Sequence, residues 1–148
     1  MIKIIKGNLL DASEDIIGHQ VNCQGVMGSG VAKLLRDKYS NLYPSYKQFC
    51  NNYDPHDLLG KCHIVKTGDK YISNLFGQLN YGRRKLRYTD YEALKESLTT
   101  LKNEAQKRGL SVALPFNIGC GLANGDWDVV KGIIEETFCD YRVTLYKL

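Results

Sequence analysis

The sequence predicts an α/β fold, in which helices cover both faces of a single mixed β-sheet. Short apolar runs typical of strands alternate along the chain with segments whose apolar residues recur at helical spacing. The chain has 148 residues, of which 43% are hydrophobic and 24% charged, and this suits one domain with one core. We therefore expect residues 1–148 to form a single domain without a linker or an internal repeat.

The amino-terminal third is predicted to contain two strands and two helices. Apolar runs at residues 2–5 and 16–21 indicate the strands, with a turn-like segment over residues 8–14 between them. A helix is expected over residues 29–39, where Val31, Leu34, Leu35 and Tyr39 recur at helical spacing. A shorter helix is expected from Ser45 to about Asn52.

The next helix has start and stop signals of its own. The segment from Thr89 to Glu92 fits a capping box, in which the threonine hydroxyl and the Glu92 carboxylate bind free backbone amides. The helix is predicted to run to Arg108 and to stop at Gly109. Its apolar stripe is predicted to face the core and consists of Tyr91, Leu94, Leu98, Leu101 and Ala105.

The remaining predicted elements complete the alternation of strands and helices. One more helix is expected after residue 125, with apolar residues at Trp127, Val130, Ile133, Ile134 and Phe138. Four further strands are predicted over residues 62–66, 71–75, 110–114 and 142–147, the first two as a hairpin around Gly68-Asp69 and the third ended by Pro115.

Charge and cysteine content restrict the class of protein. A formal charge of +4 and a pI near 8.7 suit an anionic ligand but fall short of a dedicated nucleic-acid binder. The five cysteines are odd in number and widely spaced, which argues against a disulfide framework and against a zinc site. No signal peptide or membrane span is visible, so we expect a cytoplasmic, reduced monomer that needs no metal and no cofactor.

Two glycine-rich loops are candidate binding elements, because each follows a strand and precedes a helix. They cover residues 22–30 and 117–122. Glycine lets backbone amides approach a ligand closely, and a helix amino terminus adds partial positive charge, so a diphosphate is a natural guest. Neither loop is a Walker motif or a complete GxGxxG, and plain tight turns remain the alternative.

Other catalytic patterns are weak or missing. The chain has no GxSxG elbow, no arginine six residues after Cys120 and no paired aspartates of a magnesium phosphatase. A Cys120 nucleophile with His19 as its base is conceivable, although a lone loop cysteine is more often a small packing residue.

Several motifs, taken in their order and spacing, resemble the macrodomain family. They are Gly7-Asn8-Leu9-Leu10, Val21-Asn22-Cys23 with Gly25-Val26-Met27-Gly28-Ser29-Gly30-Val31-Ala32, and Leu114-Pro115 with Ile118-Gly119-Cys120-Gly121-Leu122 and Trp127. The likeness runs from residue 3 to Tyr146 and is greatest to the branch with terminal ADP-ribose glycohydrolases, DNA-directed antitoxins and the yeast-type ADP-ribose 1''-phosphate phosphatase.

The resemblance implies a three-layer α/β/α fold that binds ADP-ribose at the carboxyl edge of its sheet. It places Asn8, Leu9 and Tyr146 near the adenine, and the loop of residues 25–30 with Asn22 around the distal ribose. The diphosphate is expected on the second loop. The implied ligand-binding residues are Asn8, Leu9, Asn22, Gly25, Val26, Met27, Gly28, Ser29, Gly30, Val31, Ile118, Gly119, Cys120, Gly121, Leu122 and Tyr146.

Departures from the family pattern bear on the reaction. Glycohydrolase and antitoxin relatives carry a catalytic lysine where this chain has Gln78, and the glycohydrolase aspartate falls on Ala123. Without that amine or carboxylate the same route is doubtful, and Arg83, Arg84 or Lys85 are possible substitutes.

The phosphatase-type relative carries a histidine three residues before its Asn-Cys pair, as His19 stands here. A histidine beside a ribose phosphate can orient water or protonate a leaving oxygen. The predicted catalytic residues are His19, Asn22 and Asp126, although His19 is equally explained as a satisfied strand residue and Asp126 as a helix cap. No function is assigned to His56 or His63.

The leading hypothesis is a metal-independent hydrolase that converts ADP-ribose 1''-phosphate to ADP-ribose and phosphate. The alternatives are removal of ADP-ribose from protein or nucleic acid, and an ADP-ribose reader without catalysis. The basic run Arg83-Arg84-Lys85 with Arg87 is a solvated face, a phosphate contact or a lid over the cleft.

Overall fold

The computed structural model describes residues 1–148, which form six strands and five α-helices. The strands are β1 (Ile2–Lys6), β2 (Ile16–Asn22), β3 (Cys62–Thr67), β4 (Lys70–Gln78), β5 (Val112–Pro115) and β6 (Val143–Lys147). The helices are α1 (Gly30–Lys38), α2 (Leu42–Cys50), α3 (Pro55–Leu58), α4 (Tyr91–Arg108) and α5 (Trp127–Thr137), with a short 3-10 helix at Leu9–Asp11. None of these helices has the length and apolarity needed to cross a membrane.

The six strands form one mixed sheet in the order β1-β6-β5-β2-β4-β3. β3 and β4 pair antiparallel, as the predicted hairpin requires, and every other neighbouring pair is parallel. The carboxyl ends of β2, β4 and β5 therefore meet at one edge of the sheet. A ligand site in an open α/β sheet is expected at that edge.

Both faces of the sheet are covered, which confirms the three-layer α/β/α prediction. One core of 15 buried residues lies under α1 and α2, and includes Leu35 and Tyr46. A second core of 14 buried residues lies under α4 and α5, and includes Leu98 and Ile134. Neighbouring residues of β2 alternate between them, since Ile16 belongs to the second core and Ile17 to the first.

The helices before residue 60 differ from the predictions in two respects. α2 starts at Leu42 instead of Ser45, because Pro44 lies in the first turn, where no backbone donor is required. The four-residue α3 was not predicted. Leu34, one of the α1 residues at helical spacing, is 51% exposed and lines a surface cavity, whereas Leu35 is buried.

The capping box predicted before α4 is wrong, although the helix ends at Arg108 as predicted. Asp90 is the cap, since its side chain accepts a hydrogen bond from the backbone amide of Ala93 at 3.0 Å. The Thr89 hydroxyl instead donates to the carbonyl oxygen of Gly119 at 2.6 Å. Thr89 thus ties the start of α4 to the second glycine loop.

Replacing Asp90 with alanine is expected to lower the free energy of unfolding by about 1 kcal/mol, because an amide in the first turn of α4 loses its acceptor. For a chain of this size the melting temperature should fall by about 2–4 °C. Glu92→Ala is the matched control, since this exposed carboxylate makes no hydrogen bond. The measurement is thermal unfolding. If Glu92→Ala lowers the melting temperature as much as Asp90→Ala does, the result would support the capping box instead.

Candidate functional site

A cleft with a volume of about 550 Å³ opens at the carboxyl edge of the sheet. Its floor is formed by the ends of β2 and β4, and the two glycine loops form its walls. It contains most of the residues predicted to surround a ligand. Those that line it are Asn22, Val26, Met27, Gly28, Ser29, Gly30, Val31, Ile118, Gly119, Gly121 and Leu122, whereas Gly25 and Cys120 lie outside its lining.

The first glycine loop is shaped by the side chain of Asn22. Its Nδ2 donates to the carbonyl oxygen of Val26 at 2.8 Å, and its Oδ1 accepts from the amide of Gln24 at 2.9 Å. The buried Tyr46 hydroxyl donates to the Asn22 carbonyl oxygen at 2.7 Å. Both ends of the Asn22 amide are therefore engaged within the protein, so its observed contacts hold the loop in shape.

The second glycine loop is closed by backbone contacts around Gly119. The amide of Gly125 donates to the Gly119 carbonyl oxygen at 2.9 Å, and the Thr89 hydroxyl donates to the same oxygen. Gly119 has a φ of +74°, a left-handed conformation that favours glycine. The loop therefore holds a fixed shape before any ligand arrives.

A second cavity of about 310 Å³ lies beside the cleft, and the two share Val31 and the segment 115–117 in their linings. Asn8, Leu9 and Tyr146, the three residues predicted at the adenine, all line this cavity. The Asn8 side chain accepts from the amide of Leu10 at 3.0 Å, which fixes the start of the 3-10 helix. The two cavities are therefore adjacent, and the glycine loops line mainly the first of them.

His19 lies on the floor of the cleft and is almost fully buried. Its Nε2 is 2.7 Å from Oδ1 of Asn74 on β4, and its Nδ1 has no partner in the protein. Burial lowers the pKa of His19 to about 4, against a smaller opposing effect of the Asn74 hydrogen bond. His19 is therefore a neutral imidazole at physiological pH.

The buried His19 predicts a pH dependence of stability. The unfolded chain binds a proton at this residue below about pH 6.5, whereas the folded chain excludes it down to about pH 4. The stability contributed by neutral His19 is thus complete above pH 6.5 and is lost as the pH falls toward 4. Over that interval wild type should lose about 3 kcal/mol more free energy of unfolding than His19→Gln. Urea unfolding of both proteins at several pH values tests this. If the free energy of unfolding depends on pH in the same way in wild type and in His19→Gln, the prediction is wrong.

The cleft carries an amide and a methyl group where the family resemblance places a lysine and an aspartate. Gln78 lines the cleft, and its Oε1 accepts from Nε2 of Gln20 at 2.8 Å while its own Nε2 donates to the Asn80 carbonyl oxygen at 2.8 Å. Ala123 also lines the cleft. Neither position offers a nucleophile or a proton acceptor.

Two residues with predicted or conceivable chemistry, Asp126 and Cys120, lie outside the cleft lining. Asp126 caps α5, with its Oδ1 accepting from the amide of Asp128 at 2.9 Å, and it is exposed outside the cleft lining. Burial, with a smaller effect of the Asp126 charge, raises the pKa of Cys120 to about 11, so its thiol stays protonated at neutral pH. The observed position of Asp126 fits a helix cap, and that of Cys120 fits a packing role.

Several lining residues were not among the predicted ligand-binding residues, including Gln20, Tyr81, Pro115 and Phe116. Pro115 is the last residue of β5 and Phe116 follows it, so the end of this predicted strand was a signal for their position at the carboxyl edge. Gln20 and Tyr81 carry no such signal, because their place depends on how β2 and the segment after β4 pack together.

Comparison with known proteins relates this architecture to others. A family model described as "Macro domain" matches residues 19–134. The chain is 31% identical over 171 aligned positions to a protein named ADP-ribose 1''-phosphate phosphatase from Scheffersomyces stipitis, covering 97% of this chain and 98% of that protein. It is 29% identical to the ADP-ribose glycohydrolase OARD1 of Bos taurus, covering 99% and 91% of the two chains. The macrodomain of Mycobacterium tuberculosis DarG superposes with a TM-score of 0.84 at 25% identity, covering 100% and 98%.

Proposed function

Because this chain belongs to the Macro domain family, we propose that its cleft binds ADP-ribose and that it hydrolyses ADP-ribose 1''-phosphate to ADP-ribose and phosphate. The relative named as a phosphatase for that compound matches over nearly its whole length, which supports this choice of substrate. The observation that carries the proposal is the neutral His19 on the floor of a cleft walled by two preformed glycine loops.

In the proposed binding mode, each part of the ligand occupies one region of the two adjacent cavities. The second loop offers backbone amides around Gly119 to the diphosphate, and the cavity bordered by Asn8 and Tyr146 receives the adenine. The distal ribose then lies between Asn22 and the first loop. This arrangement brings the 1''-phosphate toward His19 at the floor.

In the proposed reaction a water molecule attacks the phosphorus atom. The bond between phosphorus and the C1'' oxygen breaks, and that oxygen takes up a proton to give ADP-ribose and inorganic phosphate. His19 orients the water through a nitrogen that has no other partner. The loop amides hold the substrate in place, so most of the rate enhancement comes from positioning.

The chemistry at Gln78 and Ala123 supports phosphate release over glycohydrolysis. A lysine adduct needs a primary amine, and the Gln78 amide is occupied by Gln20 and the Asn80 carbonyl group. Ala123 offers no carboxylate to activate water at the glycosidic carbon. His19 remains as the lining residue whose side chain can accept a proton at neutral pH.

Turnover of three substrates by the purified protein in chelator tests the proposal: ADP-ribose 1''-phosphate, a protein ADP-ribosylated on acidic residues, and a thymidine-linked ADP-ribosylated oligonucleotide. We expect phosphate release from the first to exceed ADP-ribose release from the other two. His56→Gln serves as a control, because His56 is exposed and outside the cleft. Absence of phosphate release above background would refute the phosphatase assignment, and absence of ADP-ribose binding by calorimetry would refute the site.

A second candidate function is removal of ADP-ribose from a nucleic acid, favoured by one observation. The basic segment, defined as Arg83, Arg84, Lys85 and Arg87, is exposed and takes part in no ion pair. Arg83 lines the cleft. Nδ2 of Asn124 donates a hydrogen bond to the Leu86 carbonyl oxygen at 2.7 Å, so the basic segment adjoins the end of the second loop. Replacing the four cations with glutamine should then weaken action on the oligonucleotide in a salt-dependent way while sparing the small substrate.

A further inference from the structure

A row of three polar side chains crosses the sheet below the cleft. Asn74 on β4 lies opposite His19 on β2 and opposite His63 on β3 in the strand register. Its Oδ1 is 2.7 Å from Nε2 of His19, and its Nδ2 is 3.3 Å from Nδ1 of His63. Asn74 is completely buried, so both ends of its amide are satisfied by the two histidines.

The contact with Asn74 decides where the proton of His19 resides. An amide oxygen accepts hydrogen bonds and cannot donate them, so Nε2 of His19 must carry the proton. A neutral imidazole has one proton, which leaves a lone pair on Nδ1. That nitrogen is buried without a partner in the protein, and it belongs to a residue that lines the cleft.

The orientation of the Asn74 amide is coupled to the protonation of His63 Nδ1. If the amide were reversed, Nδ2 would donate to Nε2 of His19 and the proton would move to Nδ1. That reversal requires His63 Nδ1 to become a donor, whereas in the observed arrangement it accepts from Nδ2 of Asn74. The His63 ring is held against Phe49, with ring centres 4.1 Å apart and planes at 12°.

We propose that Asn74 and His63 are positioning residues that hold His19 in the tautomer with its proton on Nε2 and an acceptor nitrogen, Nδ1, at the cleft floor. The catalytic consequence rests on the proposed function. As an acceptor, Nδ1 takes a proton from the attacking water and does not protonate the departing ribose oxygen. His63, which is half-buried and remote from the ligand, thereby sets the direction of proton transfer.

The tautomer is measurable without any substrate. In 15N-labelled protein at neutral pH, the protonated and unprotonated ring nitrogens of a neutral histidine have well-separated shifts, and the His19 signals are identified by their loss in His19→Gln. We expect a proton on Nε2 and none on Nδ1. A proton on Nδ1 overturns the proposal. The 15N measurement does not depend on turnover. If the protein is inactive, the proposed function is refuted, but the His19 tautomer can still be determined.

Paired variants test the positioning role. Asn74→Asp keeps an acceptor and places a negative charge beside the imidazole, so it should raise the pKa of His19 and move the acidic limb of the kcat profile to higher pH. His63→Asn keeps an acceptor near the position of Nδ1, whereas His63→Leu removes it and should lower kcat about tenfold with little change in KM.

His63→Asn is expected to stay within about threefold of wild-type kcat. ADP-ribose affinity by calorimetry confirms that each variant is folded, and His56→Gln provides the surface histidine control. An acidic limb that does not move in Asn74→Asp overturns the positioning role. Equal losses in the two His63 variants, with the His19 tautomer unchanged, overturn it as well.

Discussion

Replacing His19 with glutamine is expected to lower kcat for ADP-ribose 1''-phosphate by about 10²–10³-fold, the usual size of a lost general acid–base contribution. Glutamine reaches the position of Nε2 and retains a donor for Oδ1 of Asn74, but it has no atom in place of Nδ1. The variant therefore removes the acceptor at the cleft floor while filling the same space. Steady-state phosphate release at several substrate concentrations separates kcat from KM.

The same substitution should leave ADP-ribose binding nearly intact. In the proposed binding mode the ligand is held mainly by the two glycine loops, whose hydrogen bonds within the protein do not involve His19. We expect the Kd for ADP-ribose to change by less than about threefold, since kcat loss without a KM change marks a contact made in the transition state. A variant that binds normally and turns over at the wild-type rate would show that His19 is only a buried structural residue.

The glycine loops were predictable from the sequence because their chemistry is local. Each loop follows an apolar strand and precedes a helix at residue 30 or residue 127, and the carboxyl ends of parallel strands meet at one edge. The position of both loops on one cleft therefore followed once β2 and β5 were recognised as parallel neighbours. The strand and helix order was predictable for the same reason.

The row that includes His19 was not predictable in this way. Asn74 is 55 residues from His19 in sequence, and the two meet only because β4 inserts next to β2 with a specific register. The predicted role of Thr89 failed for a related reason: its hydroxyl finds a partner at Gly119, 30 residues away, in preference to the local helix amide. Local patterns identify side chains that have hydrogen-bonding capacity, and the tertiary pairing decides where that capacity is used.

Replacing Gly125 with alanine is expected to distort the second glycine loop and to weaken ADP-ribose binding by about 10–100-fold, or about 1.4–2.7 kcal/mol. A Cβ at this position would lie 2.5 Å from the Gly119 carbonyl oxygen, which is backbone and cannot rotate away. The same oxygen accepts the Gly125 amide at 2.9 Å and the Thr89 hydroxyl at 2.6 Å. The added methyl group therefore separates the two ends of the loop whose amides face the diphosphate.

The loss of stability should accompany the loss of affinity, because overpacking typically costs about 1–3 kcal/mol. Gly121→Ala is the matched control: it adds one methyl group to the same loop, where no atom lies within 4 Å of the new Cβ. Thermal unfolding should therefore distinguish the two variants even without ligand, with Gly125→Ala lower in melting temperature by about 2–12 °C. If the two variants melt together and Gly125→Ala still binds ADP-ribose as wild type does, the second loop adapts to its ligand and its preformed shape is not what selects the diphosphate.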